Sequence, residues 1–199
     1  MKKALWIVVA ILAVSIGLYP ALYYSMGPKF ALLNSKSAEL LANPIWKTGF
    51  YTHITAGGIA LLVGWLQFNA WFRNKYRSFH RLIGKIYVVT ALAGGLAGFY
   101  IGFYATGGLI PSLGFISLAI IWLYTTSDAY LSIRKNDLVR HEKMMVYSYA
   151  ACFAAVTLRL WLPLLSMLFQ DFLPAYKVVA WLCWVPNMAV ARYLVILRG

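Results

Sequence analysis

Two histidines, His80 and His141, each open a long apolar run and are the first residues of this sequence to suggest chemistry. Both runs start from the same predicted side of a membrane, so we expect the two imidazoles at similar depth. Two histidines at one depth on different helices are the arrangement with which a helical bundle holds haem through both axial positions. His80 and His141 are therefore candidate cofactor ligands, with haem iron as the only metal expected. A histidine beside an arginine at a membrane interface is alternatively solvated or in contact with lipid phosphate.

Arg159 stands deep inside an apolar run, about 15 residues from its start, which is roughly 22 Å along a helix. An arginine at the bilayer centre costs about 2.5–3.5 kcal/mol by insertion scales, so we expect it to face the bundle interior. Because no acid lies at its depth, we expect neutral acceptors such as Asn187, the hydroxyl of Thr157 or carbonyls freed by Pro186, with water or an anionic ligand supplying the rest. These positions predict an outward-open pocket at His53, Arg159 and Asn187 for an anionic or quinone-like head group. The alternative is that Arg159 extends to the outer surface and binds nothing specific.

The composition is that of a membrane protein. Of 199 residues, 62% are hydrophobic and 12% are charged, whereas a soluble domain has about 45–50% apolar and about 25% charged residues. The net charge of +13 does not indicate nucleic acid, because no such binding motif is present and basic loops orient membrane proteins. The sequence patterns of serine hydrolases, phosphate-binding loops and zinc proteases are absent as well. We therefore name no catalytic residue, and whether the protein is an enzyme stays open.

Six apolar runs are long enough to cross a hydrocarbon core, which takes about 20 helical residues. We predict an all-α integral membrane protein, a six-transmembrane-helix bundle that forms a single domain over residues 1–199. Pro20 is expected to kink or end the first helix and Pro186 to bend the sixth. A short surface helix is expected around Ser37–Ala42. The predicted transmembrane helices cover residues 4–24, 50–72, 82–104, 111–133, 141–169 and 176–197.

The cations predict the orientation of this bundle. With the N-terminus inside, 13 of the 18 lysines and arginines fall at the inner surface, four fall at the outer surface, and Arg159 lies between. The positive-inside rule then places both termini on the cytoplasmic side of the inner membrane.

Small residues also recur on helices two and three, where they allow close approach of two backbones. These residues are Gly57, Ala60 and Gly64 on helix two, and Gly94, Gly98 and Gly102 on helix three.

Several segments together resemble a family of predicted bacterial membrane proteins, the domain of unknown function 2306. The resemblance covers roughly residues 48–190. The family has no established activity from which the function of this chain could be inferred. The segments are HITAGG from His53, HRLIGKIY from His80, HEKMM from His141, AVTLRLWLP from Ala155 and WVPN from Trp184.

The chain is more distantly similar to the cytochrome b561 family. That family has six helices with both termini inside, one haem between helices two and four and another between helices three and five. The resemblance implies an inner haem b held by His80 and His141. His53 matches one ligand of the outer haem, but helix four carries no histidine, so an outer bis-histidine haem is not expected.

Two functions stay open at this point. The first is a membrane b-type haem protein that moves electrons, with a quinone or an anionic small molecule at His53 and Arg159. The second is a haem-free protein that acts as a small transporter-like channel or as an assembly or interaction factor. In that case the same polar residues form hydrogen-bonded pairs within the bundle. The lipid bilayer is a partner in both hypotheses, and nucleic acid is a partner in neither.

Overall fold

A computed structural model describes residues 3–27 and 30–197 of the chain, and within these ranges the regular structure is entirely helical. Six helical stretches are long and apolar enough to cross a membrane, which confirms the predicted number of spans. Spans 1 to 6 run over Ala4–Met26, Pro44–Phe68, Arg77–Gly102, Leu109–Arg134, Leu138–Phe169 and Phe172–Ile196. The α-helices are α1 (Lys3–Leu18), α2 (Pro20–Met26), α3 (Ala38–Ala42), α4 (Pro44–Gly64), α5 (Ala70–Lys75), α6 (Arg77–Gly102), α7 (Leu109–Arg134), α8 (Leu138–Cys152), α9 (Ala154–Phe169), α10 (Phe172–Leu182) and α11 (Val185–Ile196).

Three of the spans are each divided between two α-helices. Span 1 changes from α1 to α2 at Pro20, as predicted, because proline lacks the amide hydrogen that would continue the helix. Span 6 changes from α10 to α11 just before Pro186, which confirms the predicted bend. Span 5 changes from α8 to α9 at Phe153, a break that the sequence analysis did not predict.

Side-chain caps set the starts of α3 and α4. Span 2 begins at Pro44 rather than at residue 50, because the Asn43 side chain caps the helix. Its Oδ1 atom accepts hydrogen bonds from the amides of Ile45 and Trp46, at 2.9 and 3.1 Å, and proline suits the first helical position. The connection between the predicted second and third helices, residues 73–81, is instead largely helical, with α5 followed at once by α6. The short surface helix is confirmed as α3, which Ser37 caps.

Span 2 packs most extensively against span 3 and also against span 1. The small residues make the first crossing close, since a methyl group added to Gly94 would lie 3.2 Å from the backbone nitrogen of Gly57. The small residues of these two spans therefore allow the close approach of backbones that is usual for helices packed in lipid. Deeper in the bundle, the Ser148 hydroxyl lies 2.8 Å from the Tyr87 hydroxyl and 2.7 Å from that of Thr126. This buried network ties spans 3, 4 and 5 together.

The polar connections gather at two opposite ends of the bundle. At one, the Lys36 end, the ammonium group donates to the carbonyl of Tyr104, so the connections after spans 1 and 3 meet. At the other, the Glu142 end, the Glu142 carboxylate pairs with Arg73 at 2.9 Å, so the chain after span 2 meets the start of span 5. This alternation is what six consecutive spans require. Three of the counted cations, Lys2, Lys29 and Arg198, lie outside the described residues.

Candidate functional site

All six spans contribute to one cavity of about 770 Å³. Ligand pockets in proteins usually measure about 300–1,000 Å³, so this cavity has room for a sizeable organic molecule. It extends from Trp46, near the start of span 2, to Leu61 on the same helix. These residues are 15 positions apart, which corresponds to about 22 Å at 1.5 Å per residue. The cavity is thus elongated along the bundle axis.

The polar groups of the cavity lie in the half nearer the Lys36 end. Lys36 itself lines the wall there, and His53 and Arg159 lie deeper. His53 follows the start of span 2 by nine residues and Arg159 precedes the end of span 5 by ten, so both lie about 14–15 Å along their helices from the Lys36 end. The predicted common depth of His53 and Arg159 is therefore present. Beyond them the wall is apolar, with Leu61 and Trp122 among its residues.

Arg159 extends from α9 into the bundle and not into the surrounding lipid. Its Nη1 atom donates to the carbonyl oxygen of Ala155 at 2.8 Å, and its guanidinium carbon lies 4.4 Å from the ring centre of Tyr19. The Nε atom is buried and has no hydrogen-bond partner in the described part of the chain. A buried charge of this kind needs more partners than it has here. The guanidinium can therefore still donate to a ligand.

Asn187 does not belong to this cavity, which corrects the predicted three-residue pocket. Its Nδ2 atom lies 3.0 Å from the carbonyl oxygen of Cys183 and 3.1 Å from the Thr157 hydroxyl oxygen. The break between α10 and α11 leaves carbonyl groups without helical partners, and the amide side chain satisfies one of them. Asn187 and Thr157 were also expected as partners of Arg159. They bond each other, and Arg159 contacts Ala155 and Tyr19 instead.

His53 is held in one orientation by span 3. Its Nδ1 atom lies 2.8 Å from the carbonyl oxygen of Gly94. The imidazole rests against Gly98, where an added methyl group would be only 2.7 Å from Nδ1. Only a residue without a side chain leaves room for the ring there. The charge of Arg159 acts on the imidazole, because both groups line the same cavity.

Lys36 adds a second cation to the wall. Burial without a carboxylate partner lowers the pKa of its ammonium group to about 8, since the charged form is costly where water is scarce. The group remains mostly protonated at neutral pH. With Arg159 it makes the wall cationic, and no aspartate or glutamate is among the described residues that line the cavity.

His80 and His141 lie together near the Glu142 end, each three residues after its span begins. The His141 Nδ1 atom lies 2.8 Å from the carbonyl oxygen of Ala129, and the His80 Nδ1 atom is buried without a described partner. The large cavity reaches neither histidine. The described residues also contain no group of three or more histidine, cysteine or acidic side chains that could hold a metal ion. A bis-histidine haem needs two protein ligands and not three, so it stays a prediction.

The family model described as a predicted membrane protein, DUF2306, matches residues 50–195. The chain belongs to the DUF2306 family. No curated protein and no solved structure matches it. The part that matches DUF2306 contains His53 and Arg159, whereas Tyr19 and Lys36 stand before it. In this DUF2306 protein the cavity wall therefore combines the family region with the preceding span and its connection.

Three residues of the site were not identified from the sequence of this DUF2306 protein. Tyr19 gave no signal beyond its place next to Pro20. Lys36 was counted only as a loop cation, although its position in a predicted outer connection was compatible with a cavity mouth. Gly98 is one of the regularly spaced small residues of helix three. Its contact with the His53 ring depends on the rotation of two helices about their axes, which the sequence does not indicate.

Proposed function

We propose that this protein binds an amphipathic small molecule inside the membrane. The apolar part of the ligand occupies the deep half of the cavity, and an oxygen-bearing head group, anionic or quinone-like, contacts Arg159. The observation that carries the proposal is a buried guanidinium with an unpartnered Nε atom on the wall of a cavity of about 770 Å³. The function is binding or carriage of such a molecule.

Charge favours this class of ligand over a cationic one. The described wall contains Arg159 and Lys36 but no carboxylate, so an anionic or polarised oxygen atom gains from both cations. Hydrogen bonds from a charged donor contribute about 1.5–3 kcal/mol each, which corresponds to roughly a tenfold or larger change in affinity. The apolar deep wall adds contact area for a hydrocarbon chain.

Equilibrium binding of radiolabelled dodecanoate to the purified protein in lipid nanodiscs tests the proposal, with empty nanodiscs as the blank. We expect saturable binding that Arg159→Met weakens about tenfold or more. Arg134→Met is the matched control, because Arg134 is an exposed arginine at the Glu142 end of span 4. Dodecyltrimethylammonium is expected not to compete.

Two outcomes oppose the proposal. Dodecanoate uptake equal to that of empty nanodiscs would exclude anionic amphipathic molecules as ligands. Equal weakening by Arg134→Met and Arg159→Met would show that surface charge, and not the cavity, attracts the fatty acid.

We further propose that the chain lies in the inner membrane with both termini in the cytoplasm, the arrangement that the cytochrome b561 family has. The 13-to-4 distribution of cations supports this orientation. The Lys36 end of the cavity then faces the outside. Head groups would enter from that side or from the outer leaflet.

A further inference from the structure

The hydrogen bond of His53 defines what its other nitrogen can do. A carbonyl oxygen only accepts hydrogen bonds, so the Nδ1 atom 2.8 Å from the oxygen of Gly94 must carry a proton and donate. In the neutral imidazole the remaining nitrogen, Nε2, is then an acceptor. No hydrogen bond from the described residues engages Nε2, and the histidine lines the cavity.

The surroundings of His53 favour this neutral form. A proton on Nε2 would place a second positive charge in a wall that already holds Arg159 and Lys36, with no carboxylate among the described lining residues. Like charges in a poorly solvated site repel strongly. The cavity thus presents a donor, the Arg159 guanidinium, and an acceptor, His53 Nε2, at nearly the same depth.

We propose that the head group bound here carries a hydroxyl donor together with an oxygen acceptor, as a long-chain hydroquinone does. A hydroxyl donates to His53 Nε2, and an oxygen of the same head group accepts from Arg159. This inference rests on the proposed binding of amphipathic molecules, and it adds that a hydroxyl is selected over an ether oxygen at the same ring position. A buried acceptor left without a donor is costly, which is the physical basis of the selection.

Competition against radiolabelled dodecanoate in nanodiscs tests the selection with two matched probes. Dodecylhydroquinone offers hydroxyl donors, and its dimethyl ether keeps the ring, the chain and the oxygen acceptors but has no donor. Under anaerobic conditions that keep the hydroquinone reduced, we expect it to bind about tenfold more tightly than the ether. His53→Phe is expected to abolish that ratio while dodecanoate still binds. His53→Gln is expected to keep part of it, because a glutamine oxygen can accept.

A pair of glycine variants tests the same point through the position of His53. Gly98→Ala places a methyl group 2.7 Å from Nδ1 and must displace the imidazole, whereas a methyl group at Gly84, on the same span but outside the cavity wall, meets only the Gln67 side-chain oxygen at 3.4 Å. We expect the tenfold affinity ratio of the two probes to fall in Gly98→Ala and to persist in Gly84→Ala. Dodecanoate binding reports in each case whether the variant is folded.

The outcomes separate this inference from the proposed function. Equal affinities of the parent protein for the two probes, with dodecanoate still bound, overturn the hydroxyl selection alone. A tenfold ratio that survives in both His53→Phe and Gly98→Ala overturns the assignment to His53. If the parent protein binds none of the three molecules, the proposed function itself is wrong.

Discussion

Gly57 and Gly58 are neighbours on α4 that face different surroundings, so the same substitution at the two positions is predicted to have opposite effects. A methyl group added to Gly58 would lie 2.7 Å from the backbone oxygen of Gly17 on α1 and 2.9 Å from Pro20. At Gly57 the methyl group meets nothing within 4 Å. Span 1 supplies Tyr19 to the cavity wall, so the Gly58 contact also controls how closely that wall is held.

The magnitude follows from the distances. Ordinary contacts of such a methyl group begin at 3.4 Å, and the contact at Gly58 would be 2.7 Å, so α1 and α4 must separate by about 0.7 Å. Overpacking of this kind costs about 1–3 kcal/mol. Replacement of a glycine inside a helix by alanine stabilises the helix by about 0.5–1 kcal/mol at either site. This gain cancels in the comparison, so the two variants are expected to differ in stability by the packing cost alone.

Thermal unfolding in detergent measures this difference, and the protein contains its own reporters. Buried tryptophans such as Trp46 and Trp122 change their fluorescence when the bundle opens. For a chain of this size 1 kcal/mol shifts the melting temperature by about 2–4 °C. We expect Gly58→Ala to melt about 2–12 °C below Gly57→Ala, with Gly57→Ala at or slightly above the parent. Equal melting temperatures for the two variants would refute the close crossing of spans 1 and 2.

Three further predictions concern orientation, pH and haem. Single cysteines at Ser35 and Asn136, in a protein without its native cysteines, are expected to react with impermeant reagents from outside and inside respectively; outside labelling of Asn136 would reverse the orientation. Because the lowered pKa of Lys36, about 8, lets it lose its charge as the pH rises from 7 to 9, dodecanoate affinity is expected to fall over that range and to become independent of pH in Lys36→Met. A bis-histidine haem predicts a six-coordinate b-type spectrum that disappears in both His80→Ala and His141→Ala, and colourless protein from haem-replete cells would reject it.

The spans were predictable because hydropathy and length alone determine what crosses a bilayer. The residues at which the helices begin and end were harder to predict, because capping side chains determine them. Asn43 followed by Pro44 is a helix-start signal that lies before the predicted second helix, and α4 begins there. The break at Phe153 has no proline or glycine to mark it.

Depth along a helix was predictable for the site residues, but the direction in which each side chain points was not. Counting at 1.5 Å per residue correctly placed His53 and Arg159 at one level. Whether they share a cavity depends on the rotation of α4 and α9, which only packing against neighbours determines. For that reason Asn187 was predicted beside Arg159 and instead bonds Thr157.

Photolabelling with a dodecanoate that carries a diazirine at the end of its chain tests the central claim most directly, because it reports both where the molecule lies and which way it points. With the carboxylate at Arg159, the chain end reaches the deep wall, so we predict labelled peptides that contain Leu61 or Trp122, lost in Arg159→Met. Labelling confined to side chains exposed to lipid, such as Leu164 and Met167, and unchanged in Arg159→Met, would contradict a ligand inside the bundle.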